Sequence, residues 1–391
     1  MIRKNMGIIY FDNAATSWPK PPEVNAAMQR YMRKIGANPG RSGHRLSVEA
    51  ARIIYDAREK LAQLFNVSDP LRIVLTKNAT EALNISISGF LKPGDHVITS
   101  SMEHNSMMRP LRAMERKDVS LTVVPCDKSG MIDPAQISTA IKNNTRAIFM
   151  THASNVTGTV MPVAEIGCIA REHGLVFCVD AAQTAGSFPI NIEEMNIDLL
   201  AFTGHKSLFG PSGTGGLFMR EGLEKRIEPI CVGGTGSRSE VEEQPDFMPD
   251  RYEAGTPNTV GIAGLQAGVN FVLSEGVDQI QSKEASLVKT FIEGISDLPG
   301  IIIYGPAFFT ERRIPVVSFN IAGMDPAMIA LELDERFKIM SRSGIHCAPS
   351  AHKTIGTYPM GTVRFSFSYF NTQEQVAKAV EAIKKISKRR K

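Results

Sequence analysis

"LVFCVDAAQ", residues 175 to 183, is a wholly apolar run that ends on a carboxylate, Asp180. "IDLLAFTGHK", residues 197 to 206, repeats the pattern and ends on Lys206. Both runs are short and rich in β-branched and aromatic residues, as in strands covered on two faces. A charge in apolar company is costly unless an opposite charge or a ligand meets it. The plain reading is a salt bridge between Asp180 and Lys206, which alone would say little about function. The choice depends on what the other strand ends bring.

Around these two runs the chain alternates. "SVEAARIIYDAREKLAQLF" (47–65) has helical periodicity, "RIVLT" (72–76) is strand-like, and "NATEALNISISGFL" (78–91) reads as a helix starting near Asn78 or Thr80. "HVITS" (96–100), "LTVVP" (121–125) and "RAIFMTH" (146–152) continue the strands, with a helix expected over 162–173. This order predicts an α/β fold, a mostly parallel sheet covered by helices. The strand series is expected to end at 206, before the Gly-rich "GPSGTGG" (210–216) and an irregular polar stretch over 232–258. One long helical pattern follows from 259 to 297. Antiparallel strands are expected at "IPVVSFNI" (314–321) and "GTVRFSFSY" (361–369). We therefore expect a large domain over 17–257 and a smaller α+β domain over 258–391, with residues 1–16 packing on the latter.

At 391 residues the chain is long enough for two cores, and 43% hydrophobic with 21% charged residues is the balance of an ordinary globular protein. A net charge of +4 gives no case for nucleic acid, which needs a concentrated basic face. The basic "KKISKRRK" end reads as the solvated end of a terminal helix. No apolar run reaches the ~18 to 20 residues of a membrane span, and the apolar run near the N-terminus is too short for a secretory signal. Five cysteines without paired spacing fit a reducing cytoplasm, and Cys126, Cys168, Cys178 and Cys231 read as small core residues.

Ligands in open α/β sheets bind beyond the carboxyl ends of the strands. There the sequence puts Asn78-Ala79-Thr80 at a helix start, where backbone N–H groups and a hydroxyl could hold a phosphate. It also puts His104 just past a strand, then Asp180 and Gln183, then Thr203, His205 and Lys206. Pyridoxal phosphate requires this set: a lysine for a Schiff base, a carboxylate for its ring nitrogen, a helix N-terminus, and a flat side chain over the ring. "GPSGTGG" also raises a nicotinamide enzyme, but the run follows the lysine and does not fit GxGxxG.

"SGIHCAPSAH" (343–352) holds the remaining cysteine between two histidines. Cys347 could be a metal ligand with His346 and His352, a turn thiol, or a nucleophile whose thiolate His346 favours.

The chain resembles the class V (fold type I) aminotransferase superfamily and, within it, the Suf-type cysteine desulfurases. The resemblance rests on "YFDNAAT" (10–16), "GRSGHRLS" (40–47), "NATEALN" (78–84), "EHNS" (103–106), "SNVTG" (154–158), "VDAAQ" (179–183), "TGHKSLFGPSG" (203–213), "EAGTPN" (253–258) and "RSGIHCAP" (342–349). It implies pyridoxal 5'-phosphate on Lys206, with Asp180 at the ring nitrogen, Gln183 at the phenolic oxygen and His104 stacked on the ring. Ala79, Thr80, Thr203 and His205 would hold the phosphate, with Thr256 of a second subunit, so a homodimer with shared active sites is implied. Asn155 and Arg364, with Arg342 and His44, would meet the substrate, and Arg suits a carboxylate because its fork pairs bidentately. Cys347 would take the sulfur of L-cysteine and pass it from a persulfide to an acceptor protein. The Suf-type motif usually has a second histidine where this chain has Ile345. Selenocysteine lyase is the neighbouring reading, followed by transamination or another C–S lyase reaction. A non-enzymatic sulfur relay is disfavoured because it would be free to lose Lys206 and Asp180.

Overall fold

The computed structural model describes residues 7–40, 42–306 and 312–389. Positions 1–6, Arg41 within "GRSGHRLS" and the last two basic residues lie outside them. The strands, in chain order, are β1 (Ile9–Tyr10), β2 (Ile73–Thr76), β3 (His96–Ser100), β4 (Ser120–Val124), β5 (Thr145–Thr151), β6 (Val176–Asp180), β7 (Leu199–Thr203), β8 (Gly215–Met219), β9 (Ile301–Tyr304), β10 (Val316–Ile321), β11 (Ile339–Met340), β12 (Arg342–Gly344) and β13 (Thr362–Ser366).

Seven of them form one sheet in the order β2-β8-β7-β6-β5-β3-β4. Only β8 runs against the rest. Alternate residues of each strand feed two separate cores: Phe177 and Val179 pack in one, Val176 and Cys178 in the other. Burial on both faces explains why these strands read as continuous apolar runs rather than as alternating ones.

The expectation that the series ends at 206 is corrected by β8. Its first residues are Gly215 and Gly216, which carry no side chain to signal a strand. A Cβ at Gly216 would lie 2.3 Å from the Phe202 ring, and one at Gly215 would lie 2.8 Å from the Asn78 backbone. Glycine is required there because neighbouring backbone and rings approach closely.

The single long helix expected over 259–297 is two helices, Thr259–Glu275 and Val277–Ile295, bent by 82°. They meet at Gly276, whose φ of 83° suits a residue without a Cβ. Among the described residues no single helix is long and apolar enough to cross a membrane. Two of the four supposed core cysteines, Cys168 and Cys231, are exposed; only Cys178 is buried.

A second, antiparallel sheet runs β12-β13-β10-β9. The helices Val277–Ile295, Pro326–Phe337 and Gln373–Ser387 cover it through a core of Phe291, Phe319 and Phe365 with their aliphatic neighbours. The N-terminal segment joins this core. β1 pairs in parallel with β11, and buried Phe11 packs on Phe365 and Phe367. The chain then crosses to the large sheet, where the Ser17 amide donates to the His205 carbonyl at 3.0 Å. Residues 12–17 therefore lie between the two sheets.

Candidate active site

Six of the seven strands of the large sheet point the same way, and their carboxyl ends open on a cavity of about 230 Å³. Register places Asp180 opposite Thr151 on one side and Ala201 on the other, so its strand end sits mid-sheet beside that of β7. Asp180 is 3% exposed and accepts from the Ala182 amide at 2.9 Å. Burial raises its pKa, while that amide and the Lys206 ammonium oppose the shift. Lys206 lies three residues past Leu199–Thr203 and lines the same cavity. Desolvation lowers its pKa to about 8, with Asp180 pulling the other way. Removal from water outweighs attraction between the two, as expected for charges held in a low-dielectric site.

The phosphate candidates gather at one end. Asn78 caps the helix Ala79–Phe90 by accepting from the Glu81 amide, so the first amides of that helix face the cavity with Ala79 and Thr80. Opposite them, Thr203 Oγ1 and His205 Nδ1 are buried without a hydrogen-bond partner among the described residues. Unpaired buried polar atoms are uncommon and call for a ligand. A phosphate fits: the helix N-terminus and the two side chains supply donors to a dianion. His104 lies past β3 as the N-cap of the helix Asn105–Glu115, where its Nδ1 accepts from the Ser106 amide at 3.1 Å. Desolvation, with help from the Lys206 charge, lowers its pKa to about 4, so the ring in this wall is neutral. Gln183 donates to the Ala14 carbonyl at 3.2 Å and borders the cavity beside Ala14 and Ala15.

The antiparallel sheet supplies the opposite wall. Arg342 on β12 and Arg364 on β13 are direct cross-strand partners. Like charges in that relation repel unless an anion relieves them. Arg364 is fully buried. It donates to Asp12 Oδ1 at 2.7 Å and the Asn155 carbonyl at 3.1 Å, with its Nε unpaired among the described residues. Asp12 relieves one of the two cations. Arg342 has no carboxylate partner among the described residues. Asn155 follows β5, and its amide donates to the His346 carbonyl at 2.8 Å.

Cys347 sits in a turn whose φ is positive at Gly344, His346 and Cys347. Its carbonyl accepts from the Asn105 amide at 2.8 Å, which ties the turn to the helix that His104 caps. The thiol opens on a second cavity of about 410 Å³ that adjoins the first through Thr80, His104 and Ser106. The expected role of His346 is corrected here. Its ring stacks on His352 with a 3.2 Å contact between nitrogens, and desolvation holds it well below the ordinary imidazole range. A neutral ring turned away cannot favour a thiolate. The cation beside Cys347 is Arg342, whose Nη2 lies 3.4 Å from Sγ. Among the described residues no group of three His, Cys, Asp or Glu could hold a metal ion, which leaves the metal-ligand reading of Cys347 without support.

Two sequence candidates line neither cavity. His44 is exposed and caps the helix Arg45–Phe65 by accepting from Ser47, and Thr256 is exposed between Gly255 and Pro257. Conversely, Asp12 and Ser106 join the site although the sequence motifs that contain them assign neither a role. Asp12 could not be assigned from spacing, since its partner lies 352 residues away. Ser106 carries a usable signal, an hydroxyl two residues past His104, and its Oγ lies 2.8 Å from His104 Nδ1.

The family model described as Aminotransferase class-V matches residues 9–378. A "Probable cysteine desulfurase" of Methanothermobacter thermautotrophicus is 37% identical over 97% of this chain and 94% of its own length. A "Cysteine desulfurase" of Salmonella dublin is 32% identical over 97% and 93%. Among solved structures, the apo cysteine desulfurase from Thermococcus onnurineus NA1 superposes with a TM-score of 0.91 at 36% identity, covering 97% of this chain and 95% of that one. The cysteine desulfurase CsdA (S-sulfonic acid) from Escherichia coli gives 0.85 at 29%, covering 97% and 94%. The α/β architecture is that of the fold type I enzymes. Whole-chain agreement in sequence and in structure makes this protein a member of the class-V aminotransferase family.

Proposed function

We propose that this chain is a pyridoxal 5'-phosphate-dependent cysteine desulfurase, which converts L-cysteine to L-alanine and leaves the sulfur on Cys347. The observation that carries the reading is the opposition of two walls. Lys206 and Asp180 lie at adjacent strand ends on one side, with the cross-strand pair Arg342 and Arg364 beside a thiol on the other.

Lys206 would hold the cofactor's aldehyde, Asp180 its ring nitrogen, Gln183 its phenolic oxygen and His104 its ring face. Ala79, Thr80, Thr203 and His205 would hold the phosphate, with Thr256 of a second copy in a cytoplasmic homodimer. When bound, pyridoxal phosphate supplies an electron-withdrawing ring that makes the Cα proton of an amino acid removable. Arg342 and the unpaired Nε of Arg364 orient the substrate carboxylate. Lys206 Nζ, with its pKa near 8, takes the Cα proton and later returns it. Cys347 Sγ, which lies 3.4 Å from Arg342 Nη2, bonds to the substrate sulfur as the carbon–sulfur bond breaks. The persulfide left on Cys347 then passes to an acceptor.

The test is product analysis after incubating cofactor-loaded protein with L-cysteine and a reductant. Alanine and sulfide in equal amounts support the reading; pyruvate or a keto acid would replace it with a lyase or aminotransferase. Cys347→Ser should abolish sulfide while leaving the cofactor's colour. If that variant still turns over L-selenocysteine but not L-cysteine, the thiol is specific to the sulfur reaction. Unchanged turnover of L-cysteine would refute its role.

A further inference from the structure

The cavity over Cys347 continues into another of about 420 Å³ along the helix Asn105–Glu115; Asn105 and Arg109 line both. Arg109, Arg112 and Arg116 recur at the spacing of one helix face, over about 10 Å of helix axis. Lys353, from the short helix just after Cys347, faces them across the groove. All four are exposed. Among the described residues no carboxylate lines either cavity, and Arg112 pairs with Glu115 of its own helix. Lys353 lies 5.1 Å from the Tyr358 ring centroid, outside the groove lining.

We propose that this groove is the docking surface for an acidic, thiol-bearing segment of the protein that accepts the sulfur from Cys347. This rests on the desulfurase reading. A row of cations about 10 Å long exceeds what the carboxylate of one small thiol can meet, and matches several acids on a single polypeptide. A nucleic acid is disfavoured because, among the described residues, no Phe, Tyr or Trp lines the groove to stack on a base. The transfer balances without any added oxidant. The acceptor thiolate attacks the outer sulfur of the Cys347 persulfide, the sulfur–sulfur bond breaks, and Cys347 leaves as a thiolate while the acceptor becomes the persulfide. The basic rim concentrates the acidic segment near Sγ and orients it.

The probe is a fluorescein-labelled synthetic peptide of about ten residues, half of them Asp or Glu around one cysteine, compared with its Asn/Gln counterpart; charge complementarity of this size gives about a tenfold preference. Binding to the cofactor-loaded protein is read by anisotropy, and alanine formation from L-cysteine is followed with either peptide or with dithiothreitol as the thiol. The acidic peptide should bind about tenfold tighter, and the preference should vanish in high salt. The triple variant Arg112→Glu, Arg116→Glu, Lys353→Glu should lose the preference while its dithiothreitol-supported turnover stays unchanged. Equal binding of the two peptides by the native chain, a salt-independent preference, or a preference retained in the variant would overturn the assignment. So would tighter binding of single-stranded polyuridylate than of the acidic peptide. Alanine formed with dithiothreitol but without charge preference removes the groove assignment alone. Absence of alanine under that condition removes the desulfurase reading and the groove assignment with it.

Discussion

The ends of β6 and β7 and the turn at Cys347 face adjoining cavities but are built differently. Asp180 and Lys206 are set by a sheet buried on both faces, whose register is fixed by side chains in two cores. Cys347 is set by a short turn with two consecutive left-handed residues, tied down by the Asn105 amide and the Asn155 side chain. The sheet end tolerates almost no water around its charges, whereas the thiol stays half-exposed beside a groove. A group that binds a resident cofactor benefits from burial. A group that receives an atom and hands it on must remain reachable.

The largest test of the contrast is Lys206→Ala. It should abolish turnover and leave no cofactor covalently retained after borohydride reduction, while thermal unfolding shows an intact fold. Covalent retention in that variant would place the attachment elsewhere. On the other wall, Arg364→Lys keeps a cation beside Asp12 but loses the fork. The KM for L-cysteine should rise about 10- to 100-fold with little change in kcat, the loss expected for one charged hydrogen-bond pair. An unchanged KM would move the carboxylate site to Arg342 alone.

Gly216→Ala probes the sheet itself. Its new Cβ would meet the Phe202 ring, and overpacking of this kind costs about 1–3 kcal/mol. Denaturant titration should show that loss; full native stability would mean that β8 relaxes freely.

The smallest effect concerns pH. Burial lowers His152 to about 4 and holds His346 well below the ordinary imidazole range. An unfolded imidazole titrates near 6.5, so below that pH the unfolded chain binds more protons than the folded one. The stability from keeping these rings neutral is therefore complete above about pH 6.5 and is lost as pH falls through 6.5 toward 4. About 1 kcal/mol per ring should disappear between pH 7 and 5.5. A flat stability profile over that range would show that the rings are not held neutral.

The same contrast governs what could be read from sequence. Strand ends bearing Asp180, Thr203 and Lys206 were legible because apolar runs and the charges that end them are local signals. β8 was not, because Gly215 and Gly216 are there for what they leave out, and only the position of Phe202 reveals it. The bend at Gly276 was hidden because apolar periodicity continues across it. Around Cys347 sequence adjacency misled: His346 is next in the chain, but the left-handed turn sends its ring to His352 and brings Arg342 to the sulfur. The Arg364–Asp12 pair joins opposite ends of the chain and has no local signature at all.

The most direct measurement is the mass of the tryptic peptide containing Cys347 after brief exposure of the cofactor-loaded protein to L-cysteine, with thiols trapped by alkylation. One additional sulfur atom on Cys347, matched by one alanine released per active site, is the expected result. Alanine release with the extra sulfur on Cys126, Cys168, Cys178 or Cys231, or on no cysteine, would contradict it.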